Sequence, residues 1–207
     1  ADFEGQSFHT FEWPHDPPSL AGKRVAVIGT GATAIQLIPE VAKECGHLTV
    51  FQRRANWAAP LNNRPISDEE MDEIRAGYDQ IFELCANSPG GFEHMPDRRG
   101  WDNVTREERL ELWDRLYDGP GFGIWLQNFV EIFMDEDANA EFSDYIADRI
   151  RQRVDDPVLA EKLIPTDHGF GIQRVPLESG YFEAYNRDNV TLVDAKETPI
   201  ERITADG

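Results

Sequence analysis

The chain has 207 residues, enough for one domain or one and a half with a real core, and carries 39 acidic against 20 basic side chains, a net charge of −19. Such a surface repels nucleic acid and anionic membranes, so an anionic ligand needs a local cluster of cations. No run reaches the ~18 consecutive apolar residues of a membrane span, no signal peptide opens the chain, and Cys45 and Cys85 stand far apart outside any Cys-x-x-Cys, which points to a reducing, cytoplasmic setting.

The chain begins Ala-Asp without Met and reads as an excised or processed piece. Residues 1–22, rich in Pro, aromatics and acids, read as a linker or docking segment. Arg24 to Ile28 is a short apolar run ended by Gly29, as in a buried parallel strand. Ile35, Ile38, Val41 and Ala42 recur at helical spacing between Ala32 and Glu44, with Pro39 inside and Gly46 as the stop. Leu48 to Gln52 reads as a second strand. Strand, helix and strand in about 30 residues make a βαβ unit.

From Ser67 to Leu163 the pattern is mostly helical. Ser67 with Glu70 and Thr105 with Glu108 predict capping boxes, and Gly119-Pro120-Gly121 breaks the second helix. Trp125 to Met134 is apolar enough to pack inside. Asn139 to Val154 is amphipathic, with Phe142, Tyr145, Ile146 and Ile150 on one side. Val190 to Val193 and Ile200 to Ile203 read as strands again. The expected fold is α/β: a Rossmann-like dinucleotide-binding domain with a parallel sheet over 23–60 and 165–207, interrupted by a mostly helical insertion over 61–164.

Gly29-Thr30-Gly31-Ala32-Thr33-Ala34 is a GxGxxA between a predicted strand and a predicted helix, the context that gives this pattern meaning. Gly29 permits the tight turn, Gly31 lets backbone approach a pyrophosphate, and Ala34 is small enough for helix to lie on strand. The helix amides then face the phosphates. The competing reading is a tight turn without a ligand. NAD-binding units usually end the second strand in Asp or Glu, which holds the ribose hydroxyls. Here the strand ends Gln52-Arg53-Arg54, two guanidiniums where a 2′-phosphate would sit. That predicts NADP(H) over NAD(H). The competing reading is two surface arginines balancing local acids. The nucleotide-facing set is therefore Gly29, Thr30, Gly31, Ala32, Thr33, Ala34, Gln36, Arg53 and Arg54.

Phe3, Gly5, His9, Trp13 and Pro14 spell FxGxxxHxxxWP, which resembles the fingerprint of Baeyer–Villiger monooxygenases, flavoenzymes that convert ketones to esters or lactones. The resemblance implies that residues 1–22 are a hinge before the NADP domain and that His9 fixes contacts there rather than moving protons. It extends to FQRRANW, to GFGIWLQNF, which it places on the substrate side of the active site, and to DHGFGIQR followed by YFEAYNRDNVTLVD. It makes Arg174 the catalytic arginine. It also makes Gln173 a nucleotide contact where the family commonly has Lys. Read from the residues alone, Arg174 is an ordinary surface or ion-pair arginine. The implied cofactors are NADPH and FAD, the latter bound mainly by a flavin domain of the same parent chain. The implied substrates are a ketone and O2, and neither nucleic acid nor membrane is a partner.

Three rivals remain: a flavin N- or S-oxygenase, a freestanding NADP-dependent reductase, and a nucleotide-sensing module. The acidic runs Asp68-Glu69-Glu70 and Asp135-Glu136-Asp137 read as solvated helix ends. His15, His47, His94 and His168 lack metal-ligand spacing, so no metal is expected. Trp57, Trp101, Trp113 and Trp125 read as core.

Overall fold

The computed structural model describes residues 2–88 and 90–207; Ala1 of the expected linker and Pro89 of the expected insertion lie outside them. In chain order the elements are β1 (Arg24–Ile28), α1 (Ala32–Glu44), β2 (His47–Gln52), β3 (Ala59–Pro60), α2 (Asp68–Ala76), α3 (Tyr78–Asn87), α4 (Arg106–Asp118), α5 (Gly123–Leu126), α6 (Glu136–Arg153), α7 (Pro157–Leu163), β4 (Leu177–Glu178), α8 (Tyr181–Ala184) and β5 (Val190–Asp194). They divide into two compact units, one of Ala1–Asn56, Ala147–Asp167 and Gly180–Gly207, the other of Trp57–Ile146 and His168–Ser179.

The first unit is built on a parallel sheet of order β1-β2-β5. Strand β2 is central, and Leu48 and Val50 on its inner face are fully buried. Each such side chain contributes about 1.5–3 kcal/mol through burial. Helix α1 crosses between β1 and β2, burying Ile35, Ile38, Val41 and Ala42, the helical stripe expected from their spacing. Pro39 lies inside α1, buried, without ending it. Gly46 has a steric reason: a Cβ there would stand 2.8 Å from the Gly22 carbonyl oxygen. That close approach lets Gly46 and His47 donate to the Lys23 carbonyl and start β2 beside β1.

One expectation is met in part and one changes. Strand β1 pairs in parallel with β2 as expected; among the described residues it pairs on that side alone, and Val25 and Val27 are half-buried and Ile28 exposed. Ile200 to Ile203 form no strand. The chain turns instead after β5, where Thr198 donates to the Asp194 carbonyl and the Lys196 amide to the Asp194 carboxylate.

Residues 147–164 fall inside the expected insertion, yet with 165–167 they cluster with the strands. Its ties are specific: Gln52 Nε2 donates to the Lys162 carbonyl at 2.6 Å, and Arg153 forms a two-pronged ion pair with Glu183.

In the second unit Trp113, Phe129, Phe142 and Phe170 make a fully buried aromatic core, with Trp57 against Phe170. Trp101 and Trp125 are only half-buried. Thr105 and Glu108 form the reciprocal capping box of α4. At α2 only half the predicted box forms: Ser67 caps Glu70, but the Glu70 carboxylate is taken by Arg64 at 2.6 and 2.7 Å. The apolar run 125–134 is not wholly inside either. Phe129 and Ile132 are buried, while Val130, Phe133 and Met134 are exposed, because a short helix and a 3-10 turn replace one continuous helix.

Candidate functional site: a glycine loop and an arginine turn

At the carboxyl end of β1 the chain turns through Gly29, whose φ of 105° excludes ordinary side chains. Its amide still donates to the Phe51 carbonyl, so the loop leaves the sheet while held to β2. Gly31 is the N-cap of α1. Its φ of −76° and ψ of 179° suit any residue, and a Cβ there would meet no protein atom within 4 Å. Among the described residues nothing therefore requires glycine at 31. What the missing side chain leaves is open space before the first turn of α1, which has neither a capping side chain nor an acidic residue. The amides that begin a helix are unsatisfied within it and carry its positive end, so this space suits an anion. Ala32 and Ala34 are half-buried, Thr33 and Gln36 exposed.

Thr30 joins this loop to the second motif. It is buried, and its Oγ1 donates to the Arg54 carbonyl at 2.8 Å. The GxGxxA and the Gln52-Arg53-Arg54 turn are thus one structure. The two arginines then diverge. Arg54 pairs with Asp167 at 2.5 Å, anchoring the turn to the chain beyond α7. Arg53 is exposed, and among the described residues its guanidinium has no ion pair or hydrogen bond. A cavity of about 510 Å³ opens here, lined by Gln52 to Ala55, by α7 and the residues after it, and by Asp194 and Lys196. It lies outside the carboxyl ends of β2 and β5, where open parallel sheets bind their ligands.

Sequence reasoning gave no role to Gln52, Lys162, Asp167 or Lys196. Gln52 occupies the strand-end position of the usual carboxylate, but its side chain is buried. Its amide nitrogen holds α7, and its Oε1 has no hydrogen-bond partner among the described residues. Only the partners across more than a hundred residues reveal this, and no local pattern signals them.

Arg174 and Gln173 belong to the second unit, on the loop that precedes β4. Phe170 anchors that loop: it is fully buried, its amide donates to Ser143 Oγ, and its carbonyl accepts from Asn139 Nδ2 at 2.8 Å. The Trp57 indole donates to the His168 carbonyl. Gly169 leaves room for Asn139, because a Cβ there would run into Asn139 Oδ1. Beyond this anchor Ile172, Gln173 and Arg174 are exposed, and Val175 is buried again. The Arg174 guanidinium has no ion pair among the described residues. In the N-terminal segment, exposed His9 accepts from the Phe11 amide through Nδ1 and caps a 3-10 turn.

Among the described residues no helix is long and apolar enough to cross a membrane. No family model matches the chain. By sequence and by fold it is nevertheless related, over its whole length, to a part of the Baeyer–Villiger monooxygenases. It is 46% identical over 211 residues to 2-oxo-Delta(3)-4,5,5-trimethylcyclopentenylacetyl-CoA monooxygenase of Pseudomonas putida, covering 99% of this chain and 39% of that enzyme. It is 39% identical over 208 residues to acetone monooxygenase (methyl acetate-forming) of Gordonia sp. strain TY-5, covering 100% of this chain and 39% of the relative. Among solved structures, the complex of OTEMO with FAD and NADP superposes with a TM-score of 0.94 at 47% identity, covering 100% of this chain and 39% of that one. The chain thus spans about two fifths of the length of the relatives it matches.

Proposed function

We propose that this chain is the NADPH-binding portion of a flavin-dependent monooxygenase that inserts one O2-derived oxygen into a ketone to give an ester or lactone. The observation that carries the reading is the glycine at 31. Among the described residues neither its conformation nor a neighbour requires it, and Thr30 ties its loop to an arginine turn whose Arg53 guanidinium has no ion pair among them. Gly29 to Ala34 would hold the pyrophosphate through backbone amides, with Gln36 beside them, and Arg53 would take the 2′-phosphate. Arg54, held by Asp167, keeps the turn in place. When bound, NADPH and FAD supply the reducing equivalents and activate oxygen, and the flavin is held mainly by another part of the same parent chain.

Arg174 has a separate task. A guanidinium stays protonated at any working pH, so it stabilises negative charge growing on oxygen without surrendering a proton to it. Its position after the Phe170 anchor keeps it exposed on a fixed loop. Gln173 is neutral and leaves the 2′-phosphate to cations elsewhere.

Calorimetry on the chain tests the first part. NADPH should bind at least about tenfold tighter than NADH, as one charge-assisted contact provides, and Arg53→Ala should cut that preference at least about fivefold. Equal binding of both nucleotides, or of neither, refutes the reading. In the complete parent enzyme Arg174→Ala should retain NADPH binding and lose ester formation; ester at the parent's rate would remove Arg174 from the chemistry.

A further inference from the structure

Lys196 follows β5 by two residues. The ladder runs one residue past the strand, because the Ala195 amide donates to the Gln52 carbonyl at 2.8 Å. Lys196 therefore leaves the sheet directly beside the strand end that carries Arg53. Its backbone is fixed by the Asp194 turn: its amide donates to Asp194 Oδ1 at 2.8 Å, and Thr198 closes the turn on the Asp194 carbonyl.

The charges around the cavity do not cancel evenly. Of the lining carboxylates, Asp167 is ion-paired with Arg54 and Glu161 with Arg151, while Asp194 accepts from the Lys196 amide and keeps its charge. Of the lining cations, Arg54 is spent on Asp167 and Lys162 on Glu197 at 2.6 Å. Two remain: the side chains of Arg53 and Lys196 have no ion pair or hydrogen bond among the described residues. In a chain of net charge −19, two unpaired cations face one lining carboxylate without an ion pair, Asp194, which marks a place where part of the neutralisation is left to a ligand. Like charges repel there, and a doubly charged phosphate removes that repulsion while gaining two attractions.

Resting on the NADPH reading, we infer that Lys196 is the second cation of the 2′-phosphate subsite and sets nucleotide specificity together with Arg53. Arginine supplies a planar fork and lysine a compact point charge, a complementary pair for one phosphate.

The test measures affinity of the 207-residue chain for adenosine 2′,5′-bisphosphate and adenosine 5′-monophosphate by calorimetry. Lys196→Ala should weaken the bisphosphate about five- to tenfold and leave the monophosphate unchanged, and Lys196→Arg should restore most of the loss. If Lys196→Ala keeps the parent's preference while Arg53→Ala abolishes it, the Lys196 inference fails and the NADPH reading stands. Equal loss of both probes in Lys196→Ala also refutes it, since the effect is then not on the 2′-phosphate. If the parent chain itself does not distinguish the two, the underlying reading fails.

Discussion

Gly31→Ala separates two reasons for which a chain needs glycine. At φ −76° and ψ 179°, with no protein atom within 4 Å of a new Cβ, alanine fits without strain. Restricting the unfolded chain gains about 0.4–1 kcal/mol. Alanine at an N-cap costs a similar amount relative to glycine, roughly 0.5–1 kcal/mol. The sum lies within about 0.5 kcal/mol of zero, a shift in Tm of under roughly 2 °C for a chain of this size. The methyl group would nevertheless occupy the space that the loop leaves open. Gly29→Ala is the contrast: φ 105° is strained for any side chain and costs about 1–3 kcal/mol, several degrees in Tm. Thermal unfolding followed by circular dichroism, with NADPH titrated by calorimetry, distinguishes the outcomes. Gly31→Ala should melt with the parent and bind NADPH at least about tenfold more weakly, the scale of a lost charge-assisted contact. Parent-like NADPH binding would show that the glycine is not there for a phosphate. A drop in Tm of many degrees would show that the space is not open.

Two predictions concern the second unit. Asn128 is buried, and its Oδ1 accepts from the Trp113 indole and the Phe129 amide, both at 2.9 Å. Asn128→Leu strands two buried donors at about 1–3 kcal/mol each, so Tm should fall by roughly 10 °C; a fall under about 2 °C would mean these bonds carry no stability. Asp97 is held below the usual carboxylate range first by the Arg99 side chain and then by the Arg99 amide, against the raising effect of partial burial. A depressed folded pKa gives stability above the unfolded value of about 3.9, lost as pH falls through the folded value. Asp97→Asn should therefore melt roughly 2 °C below the parent at pH 6, with the gap closing toward pH 3. A gap that widens in acid would reverse the sign of the pairing.

The parts of the site that were legible in sequence are those built from neighbours along the chain. The bounds of α1, Ala32–Glu44, are as predicted, because a glycine turn and a helical stripe both sit within fifteen or so residues. The Thr105 box closes for the same reason. The Ser67 box half-fails because Arg64 offers Glu70 a stronger, charged partner than a backbone amide. Ile200 to Ile203 have the right residues for a strand, but pairing needs a neighbour, and the Asp194 turn takes the chain out of the ladder. Arg53 and Arg54 look equivalent in sequence. Their difference rests on Asp167, whose approach depends on α7, and α7 is held by Gln52 from 110 residues away.

On the NADPH reading, that division of labour would let so acidic a chain favour an anion. At ordinary ionic strength the field of distant carboxylates fades beyond about 8–10 Å, so the loop responds to its near neighbours rather than to the net charge. Near the loop the acids are already engaged: Asp167 by Arg54, Glu161 by Arg151, which holds it low, and Glu197 by Lys162, whose own pKa it raises. Each pair removes one local acid and spends one cation on structure. Adding surface carboxylates elsewhere would leave this balance alone, whereas freeing Asp167 from Arg54 would place a bare carboxylate in the wall of the same cavity. On the NADPH reading, selectivity for an anion is thus set less by how many arginines the chain carries than by which acids are kept occupied.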